Sequence, residues 1–457
     1  MAIIASTLAR IKSDPLMFLG GAERVNQCFA SVGHLWRDRL LDPANTMALF
    51  VLQVLHGNTA IAHLPRLSGI KCSPGSYCDA RTRLPVAGVA AVVERLSCVA
   101  ARCSESASSW LGRRVQMVDA TTATTPDEPA LQNLWPQPSE QKEGCGFPML
   151  KLLALMDLAT GMILQMTMMA LNVHEASQLA GPHGALCAGD VLLGDRGFCS
   201  FGHLVLLGRL SVDAVFRMSA GQIIDFTPGR PARGKSKKKK TYQGSRPTSH
   251  FVRKLGAQDQ IVQWTKPQTR PAGISAAVFA GMPQLLWVRE LRYCITAKGM
   301  RTRQVTIATT LLDPMRYPKR EIARLYQLRW EIETNFRHLK TTMKMDHLKC
   351  QTPEGVLKEL MVFALVYNLI RLVMTQAAAR QRIADANRMS FIDASRWLIS
   401  MLAKPATDSQ PHLIVNPLRP GRFHPRVKKR RVTNNHSLMN KPRSAYSQPD
   451  ECEAVSD

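Results

Sequence analysis

Acidic residues are scarce in this chain. Its 457 residues hold 34 Asp and Glu against 60 Lys and Arg, a formal net charge of +26. Also missing is any paired C-x-x-C spacing: the 11 cysteines are odd in number and scattered, which excludes a disulfide framework and a zinc site and suits a reducing cytosol. The pairs Cys72/Cys78 and Cys98/Cys103 read as scattered thiols rather than ligand sets. The start lacks the charged segment and long apolar core of a secretory signal. The longest apolar stretch, 360–374, is broken by Tyr367, Asn368 and Arg371, too short and too polar for a bilayer span, so it reads as a buried helix and no membrane partner is expected.

What is present is a globular composition, 45% hydrophobic with mean hydropathy −0.11, in a length that suggests two to four modules. The excess positive charge favours a polyanion, because each phosphate neutralised releases a condensed counterion. Nucleic acid is the first candidate. An anionic membrane surface is the second, and no strongly basic amphipathic helix supports it.

Along the chain, 1–110 reads as a helical N-terminal domain with apolar faces over 46–56 and 86–99. Between them, 66–85 resembles helix–turn–helix material with basic edges at Lys71, Arg81 and Arg83, which makes DNA binding the expectation for this part. From 115 the texture changes: strand 115–118 ending at Asp119, a hairpin of 150–157 and 162–171 about a turn at 159–161, a short helix at 174–179, strand 190–194 leading into Asp195, helix 201–210 and strand 213–218. This order is α/β with a mixed sheet. A basic loop follows at 228–240, with four lysines at 237–240; then the β-like runs 260–266, 276–279, 285–296 and 304–309 suggest an inserted, strand-rich subdomain. Segments 318–344 and 353–379 read as long helices, and the basic, Pro-rich remainder, including 426–431, as a disordered arm. The organisation expected is therefore 1–110 helical and DNA-binding, 111–220 with 316–400 as the catalytic core, 221–315 as the insertion and 401–457 as the arm.

Asp119 and Asp195 each follow a short apolar strand, where an open α/β sheet presents functional side chains. On the helix near 330, Tyr326, Arg329, Glu333 and Lys340 fall within a sector of roughly 60° at about 100° per residue. The apolar set Leu325, Leu328, Ile332, Phe336, Leu339 and Met343 centres roughly 90° away. Glu333 brought beside the two aspartates makes a three-carboxylate site, which repels itself unless cations enter. Two Mg²⁺ ions suit such a set and support in-line displacement at phosphorus. Arg329 and Lys340 would then hold the DNA backbone, with Tyr326 on a phosphate or sugar.

Tyr326-x2-Arg329-x3-Glu333-x6-Lys340 resembles, with every spacing intact, the catalytic-helix signature of insertion-sequence DDE transposases of the insertion sequence four family. Val118-Asp119-Ala120-Thr121-Thr122 resembles that family's first-aspartate motif and Gly194-Asp195-Arg196-Gly197-Phe198 its second, and the likeness covers about 115–380 well. It implies a ribonuclease-H-like core with a β-rich insertion between the second aspartate and the glutamate. It also implies Mg²⁺ dependence (with Mn²⁺ able to substitute), recognition of terminal inverted repeats and target DNA, action as a homodimer in a synapse, and a bacterial cytoplasmic, nucleoid-associated location. Asp119, Asp195 and Glu333 would be catalytic and metal-binding, and Tyr326, Arg329 and Lys340 would bind DNA. Some relatives stack a flipped base on an insertion-domain tryptophan. Trp264 and Trp287 lie in that region, and no local motif chooses between them. Glu331, two residues before Glu333, lies roughly 200° round the helix and is set aside. The alternatives are a nuclease of the same fold without strand transfer and a DNA-binding remnant without catalysis.

Overall fold

The computed structural model describes residues 20–106, 110–173, 180–219, 224–230, 248–271, 273–295, 304–403 and 411–417, with a few isolated positions besides. Most of the helix expected at 174–179, the lysines at 237–240 and the basic run at 426–431 lie outside them.

Among the described residues the N-terminal part holds five α-helices, α1 (Ala22–Ala30), α2 (Pro43–Leu55), α3 (Leu64–Ser68), α4 (Pro74–Arg83) and α5 (Val86–Ser106), with a 3₁₀ turn at Ile61–His63. Asp42 starts α2 by accepting the Asn45 amide at 2.7 Å, with Pro43 at the first position. Ser73 and Pro74 start α4 in the same way. Helix α5 crosses α1 at Gly88, where a Cβ would fall 2.2 Å from the Phe29 ring. The segment 66–85 thus resolves into α3, a connection through Gly69 at φ +72°, and α4.

The rest is built on β1 (Val115–Thr124), α6 (Pro129–Leu134), β2 (Met149–Asp157), β3 (Ile163–Ala170), α7 (Ala180–His183), β4 (Val191–Gly194), α8 (Phe201–Arg209), β5 (Asp213–Arg217), β6 (Ser249–Gly256), β7 (Asp259–Thr265), α9 (Ala276–Ala280), β8 (Leu285–Cys294) and β9 (Gln304–Thr309). Next come α10 (Lys319–Gln327), a 3₁₀ turn (Leu328–Trp330), α11 (Glu331–Arg337), a π turn (His338–Thr342), α12 (Pro353–Arg380) and α13 (Phe391–Ala403). The sheet order is β3-β2-β1-β4-β5-β9-β8-β7-β6. Its first five strands, antiparallel across β3-β2-β1 and parallel across β1-β4-β5, form the ribonuclease-H-like mixed sheet that the strand order suggests.

Three differences from the sequence reading have physical causes. The strands of the expected β-rich insertion join the core sheet edge to edge: β9 pairs antiparallel with β5, so β9-β8-β7-β6 continues it. Residues 276–280 are helix, not strand, because Ser275 accepts the Val278 amide and caps a helical turn. The helix expected over 318–344 is broken into α, 3₁₀, α and π segments. The 3₁₀ turn advances faster than 100° per residue, and it leaves Leu328, expected in the core stripe, 47% exposed, whereas Leu325, Ile332, Phe336, Leu339 and Met343 are buried.

One continuous apolar core runs through the N-terminal helices, the sheet and α12. Two adjacent side chains of α12 tie these parts together. The buried Lys358 ammonium donates to the carbonyls of Arg81, Thr82 and Leu84 at 3.0, 3.0 and 2.8 Å, satisfying the C-terminal end of α4. Glu359 accepts from the Asn58 amide at 2.6 Å and from the Lys349 and Cys350 backbone. Replacing Lys358 by Met keeps the helix propensity and the stem but strands three carbonyls. Lys358→Met is expected to lose about 3 kcal/mol in urea denaturation; unchanged stability would mean that water replaces the ammonium.

Candidate active site

The site is set by strand register. β1 pairs parallel with β4 from Val115↔Val191 to Val118↔Gly194, and β4 with β5 from Val191↔Asp213 to Gly194↔Phe216. The residues that follow, on three adjacent strands, are Asp119, Asp195 and Arg217. β1 does not end at Asp119, as its sequence suggests; it runs on to Thr124, paired with β2 throughout and bridged in parallel to His347 at Thr124, so only the ladder to β4 stops there. Gly194 serves by its missing side chain, since a Cβ would meet the Phe216 ring at 3.0 Å.

Asp119 Oδ1 accepts the amide of Ala120 at 2.8 Å, and Oδ2 pairs with Arg329 Nη1 at 3.2 Å. The other arm of the guanidinium, Nη2, reaches Glu333 Oε1 at 3.0 Å, one helical turn on. Arg329 is 11% exposed, Asp119 23% and Glu333 39%, so the charges run from the floor of the site to its rim. Asp195 has its Oδ1 buried with no hydrogen-bond partner. Tyr326 is buried, its hydroxyl making a long bond of 3.4 Å to the Gly194 carbonyl, so it braces the end of β4. Lys340 is half-buried in the π turn, its ammonium lowered from the usual lysine value by burial. The structure thus brings Asp119, Arg329 and Glu333 into direct contact and Asp195 and Tyr326 beside them.

Burial pushes the Asp119 carboxyl up to about 6; the Ala120 amide and Arg329 oppose this, and Asp195 and Glu333 add to it. Asp119 is therefore close enough to feel both Asp195 and Glu333. Burial also raises the Tyr326 hydroxyl and takes that of Tyr293 up to about 12, with the charge of Arg217 acting on both. Arg217 and Tyr293 belong to this neighbourhood and went unmarked in the sequence. The available signal was Arg217 closing an apolar strand at the same sheet edge as Asp195. Glu331 faces elsewhere, raised by burial and by Asp385, with Arg371 and Arg337 opposing.

The three carboxylates are hard oxygen donors, and the unpaired buried Asp195 oxygen is a ligand atom without a partner, so the set fits a hard divalent cation. Among the described residues, no three His, Cys, Asp or Glu side chains are gathered closely enough to hold a metal by themselves; Arg329 stands between two of the carboxylates. Of the two tryptophans, Trp264 is fully buried with its indole N–H on Glu290 at 2.9 Å, and Trp287 is 47% exposed. Trp287 lies six residues before Tyr293 on β8, about 20 Å along the strand.

The family described as Transposase DDE domain matches residues 110–369. The transposase InsG for insertion sequence element IS4 of Escherichia coli (strain K12) is 27% identical over 299 residues, which are 64% of this chain and 59% of that protein, under two thirds of its length. A solved structure of the piggyBac transposase synaptic complex with hairpin DNA resembles the chain at 10% identity and a TM-score of 0.44, over 88% of this chain and 80% of that one.

The turn after Asp195 is fixed from behind by a histidine pair. His203 Nδ1–H donates to the Phe198 carbonyl at 2.8 Å, which leaves Nε2 to accept from His183 Nε2–H at 3.0 Å. Burial, reinforced by His183, takes His203 down to about 3. Between about pH 6.5 and 3 the unfolded chain gains a proton there that the folded chain does not, so stability falls as pH falls, by about 1 kcal/mol per pH unit. The melting temperature is expected to drop from pH 7 to pH 5, and more shallowly in His203→Gln. Equal slopes would mean that His203 is protonated in the folded state.

Proposed function

The chain belongs to the Transposase DDE domain family, and we propose that it cuts DNA at the ends of an insertion sequence and joins those ends to target DNA. The observation that carries this reading is the junction at Arg329: a strand carboxylate and a helix carboxylate meet on one guanidinium, beside an aspartate whose buried oxygen has no partner.

In the proposed reaction, Asp119, Asp195 and Glu333 hold the divalent cations, Mg²⁺ by preference with Mn²⁺ able to replace it. When bound, these ions activate the attacking oxygen and stabilise the leaving one. A water oxygen bonds to the phosphorus at the element end and the bond from phosphorus to the 3′ oxygen breaks. The element keeps a 3′ hydroxyl and the flank a 5′ phosphate. That hydroxyl then attacks a phosphorus in the target, displacing the target's own 3′ oxygen, so the phosphodiester count is conserved in the joining step. Arg329, Lys340 and Arg217 hold the backbone of the end, the planar guanidinium forks matching phosphate oxygens. Tyr326, bonded to Gly194, acts by keeping β4 and the helix in place.

Double-stranded DNA, as terminal repeats and as target, is the proposed partner, which agrees with the +26 charge. A second contact is proposed at the groove of the N-terminal helices lined by Trp36, Arg37, Arg39, Lys71 and Arg83. Two ends cut and joined together need two such sites, hence a homodimer in the synapse. The location proposed is the bacterial cytoplasm, on the nucleoid; no helix of the described residues is long and apolar enough to cross a membrane.

The test is cleavage and joining of the element's own ends with Mg²⁺ and with EDTA. Asp119→Ala, Asp195→Ala and Glu333→Ala are each expected to lower cleavage about a thousandfold or more, equivalent to about 4 kcal/mol of transition-state stabilisation, with DNA binding retained. Glu331→Ala is expected to stay active. Equal cleavage by wild type and Glu333→Ala would remove Glu333 from the reaction. Cleavage without joined products would favour a nuclease.

A further inference from the structure

We propose that Arg329 is a displaceable occupant of the carboxylate centre: its guanidinium ties Asp119 to Glu333 in the DNA-free protein, and the phosphates of a bound DNA end draw it away, so that cation loading follows DNA binding. This rests on the reading of the three carboxylates as the cation-binding set.

The geometry points to competition. Arg329 spends one nitrogen on Asp119 at 3.2 Å and another on Glu333 at 3.0 Å. Each of those carboxylates is needed by a cation, and a guanidinium and a divalent ion placed among the same oxygens repel one another. Glu333 and Asp119 are held by the bridge rather than gathered with Asp195, which agrees with no three ligand side chains converging among the described residues. The third carboxylate, Asp195, keeps a buried oxygen unpaired, so the centre holds one ligand atom that the arginine does not satisfy.

The location of Arg329 permits the exchange. It sits in the 3₁₀ turn between α10 and α11, and its neighbours Leu328 and Trp330 are 47% and 54% exposed. The backbone that carries Arg329 is therefore irregular and flanked by exposed residues, and of its two carboxylate partners Glu333, at 39% exposed, is the one nearer solvent. A guanidinium exchanges carboxylates for phosphate oxygens with little change in hydrogen bonding, because its planar fork suits both. By linkage, whatever factor DNA adds to cation affinity, cations add to DNA affinity.

The test is titration of the full-length protein with Mn²⁺, following free Mn²⁺ by electron paramagnetic resonance, without DNA and with a saturating duplex of the element's terminal sequence, the duplex alone subtracted. Cooperative melting of each variant checks folding. Without DNA, Arg329→Gln is expected to bind Mn²⁺ at least about tenfold more tightly than wild type, and Arg329→Lys, which keeps a charge but not the fork, less tightly than Arg329→Gln. Adding Asp119→Asn to Arg329→Gln is expected to abolish that tight site. The duplex is expected to raise the affinity of wild type toward that of Arg329→Gln. Equal Mn²⁺ affinity in wild type and Arg329→Gln, both lost with Asp119→Asn, would overturn the proposed displacement and leave the carboxylate site standing. Mn²⁺ binding independent of Asp119 in every variant would overturn both.

Discussion

The parallel pairing of β1 with β4 and of β4 with β5 is the constraint on which the site depends. β4 is only four residues long and wholly buried, so its register is specified by packing on both faces. Because side chains alternate, a slip by one residue would send Asp119 or Asp195 to the opposite face. With Val118, Gly194 and Phe216 in one row, the next residues, Asp119, Asp195 and Arg217, share the sheet edge. The helix carrying Arg329 and Glu333 then has one place to dock, with Tyr326 on the Gly194 carbonyl. The three carboxylates come from segments more than 200 residues apart in sequence (Asp119 and Glu333 being the extremes), yet their meeting is fixed by four rungs of a ladder.

Buried charge elsewhere in the molecule is treated differently, and the contrast identifies the site. Glu290 is fully buried and takes donors from Ser249, Gln260 and Trp264. Arg289 pairs through two nitrogens with Asp259 and gives a third bond to the Tyr317 carbonyl. Such groups are matched bond for bond, as structural charges must be to offset desolvation. At the sheet edge the matching stops: Asp119 stays near pKa 6 in spite of Arg329, and an Asp195 oxygen has no partner. Among the described residues the other buried polar atoms without a partner belong to amides, a histidine ring and one guanidinium nitrogen; Asp195 alone leaves a buried carboxylate oxygen unmatched, and an unmatched anion marks where the structure is arranged for something it must bind.

Much of this was legible in the chain. Short apolar runs ending in Asp gave β1 and β4, and the spacing from Tyr326 to Lys340 gave the helix, because both depend on local patterns. β6 was not legible: Ser-His-Phe-Val-Arg-Lys-Leu-Gly carries charges suited to a sheet edge, and it pairs on one side only. Ala276 to Phe279 is a short apolar run that fits strand or helix equally, and only the cap at Ser275 decides. Arg217 went unmarked because an arginine closing an apolar strand becomes a site candidate only through the register between separate strands. The two-armed contact of Arg329 was likewise invisible, since helical spacing supplies Glu333 but says nothing of Asp119.

That last contact answers a problem posed by the charge of the chain. A protein at +26 attracts any DNA, since backbone electrostatics carry no sequence information. If the carboxylate centre were always loaded, every encounter would bring a competent site to a phosphodiester. A guanidinium seated between Asp119 and Glu333 changes the default, because two of the carboxylates are then occupied and partly neutralised by a group that cannot activate water. On the proposed reading, loose encounters on the outer basic surface would not reach Arg329, which is 11% exposed. Only DNA seated deeply enough to offer phosphate oxygens at that depth would exchange with the carboxylates. Recognition of the correct end, by whichever surface achieves it, would then be converted into competence at the sheet edge through the position of one side chain.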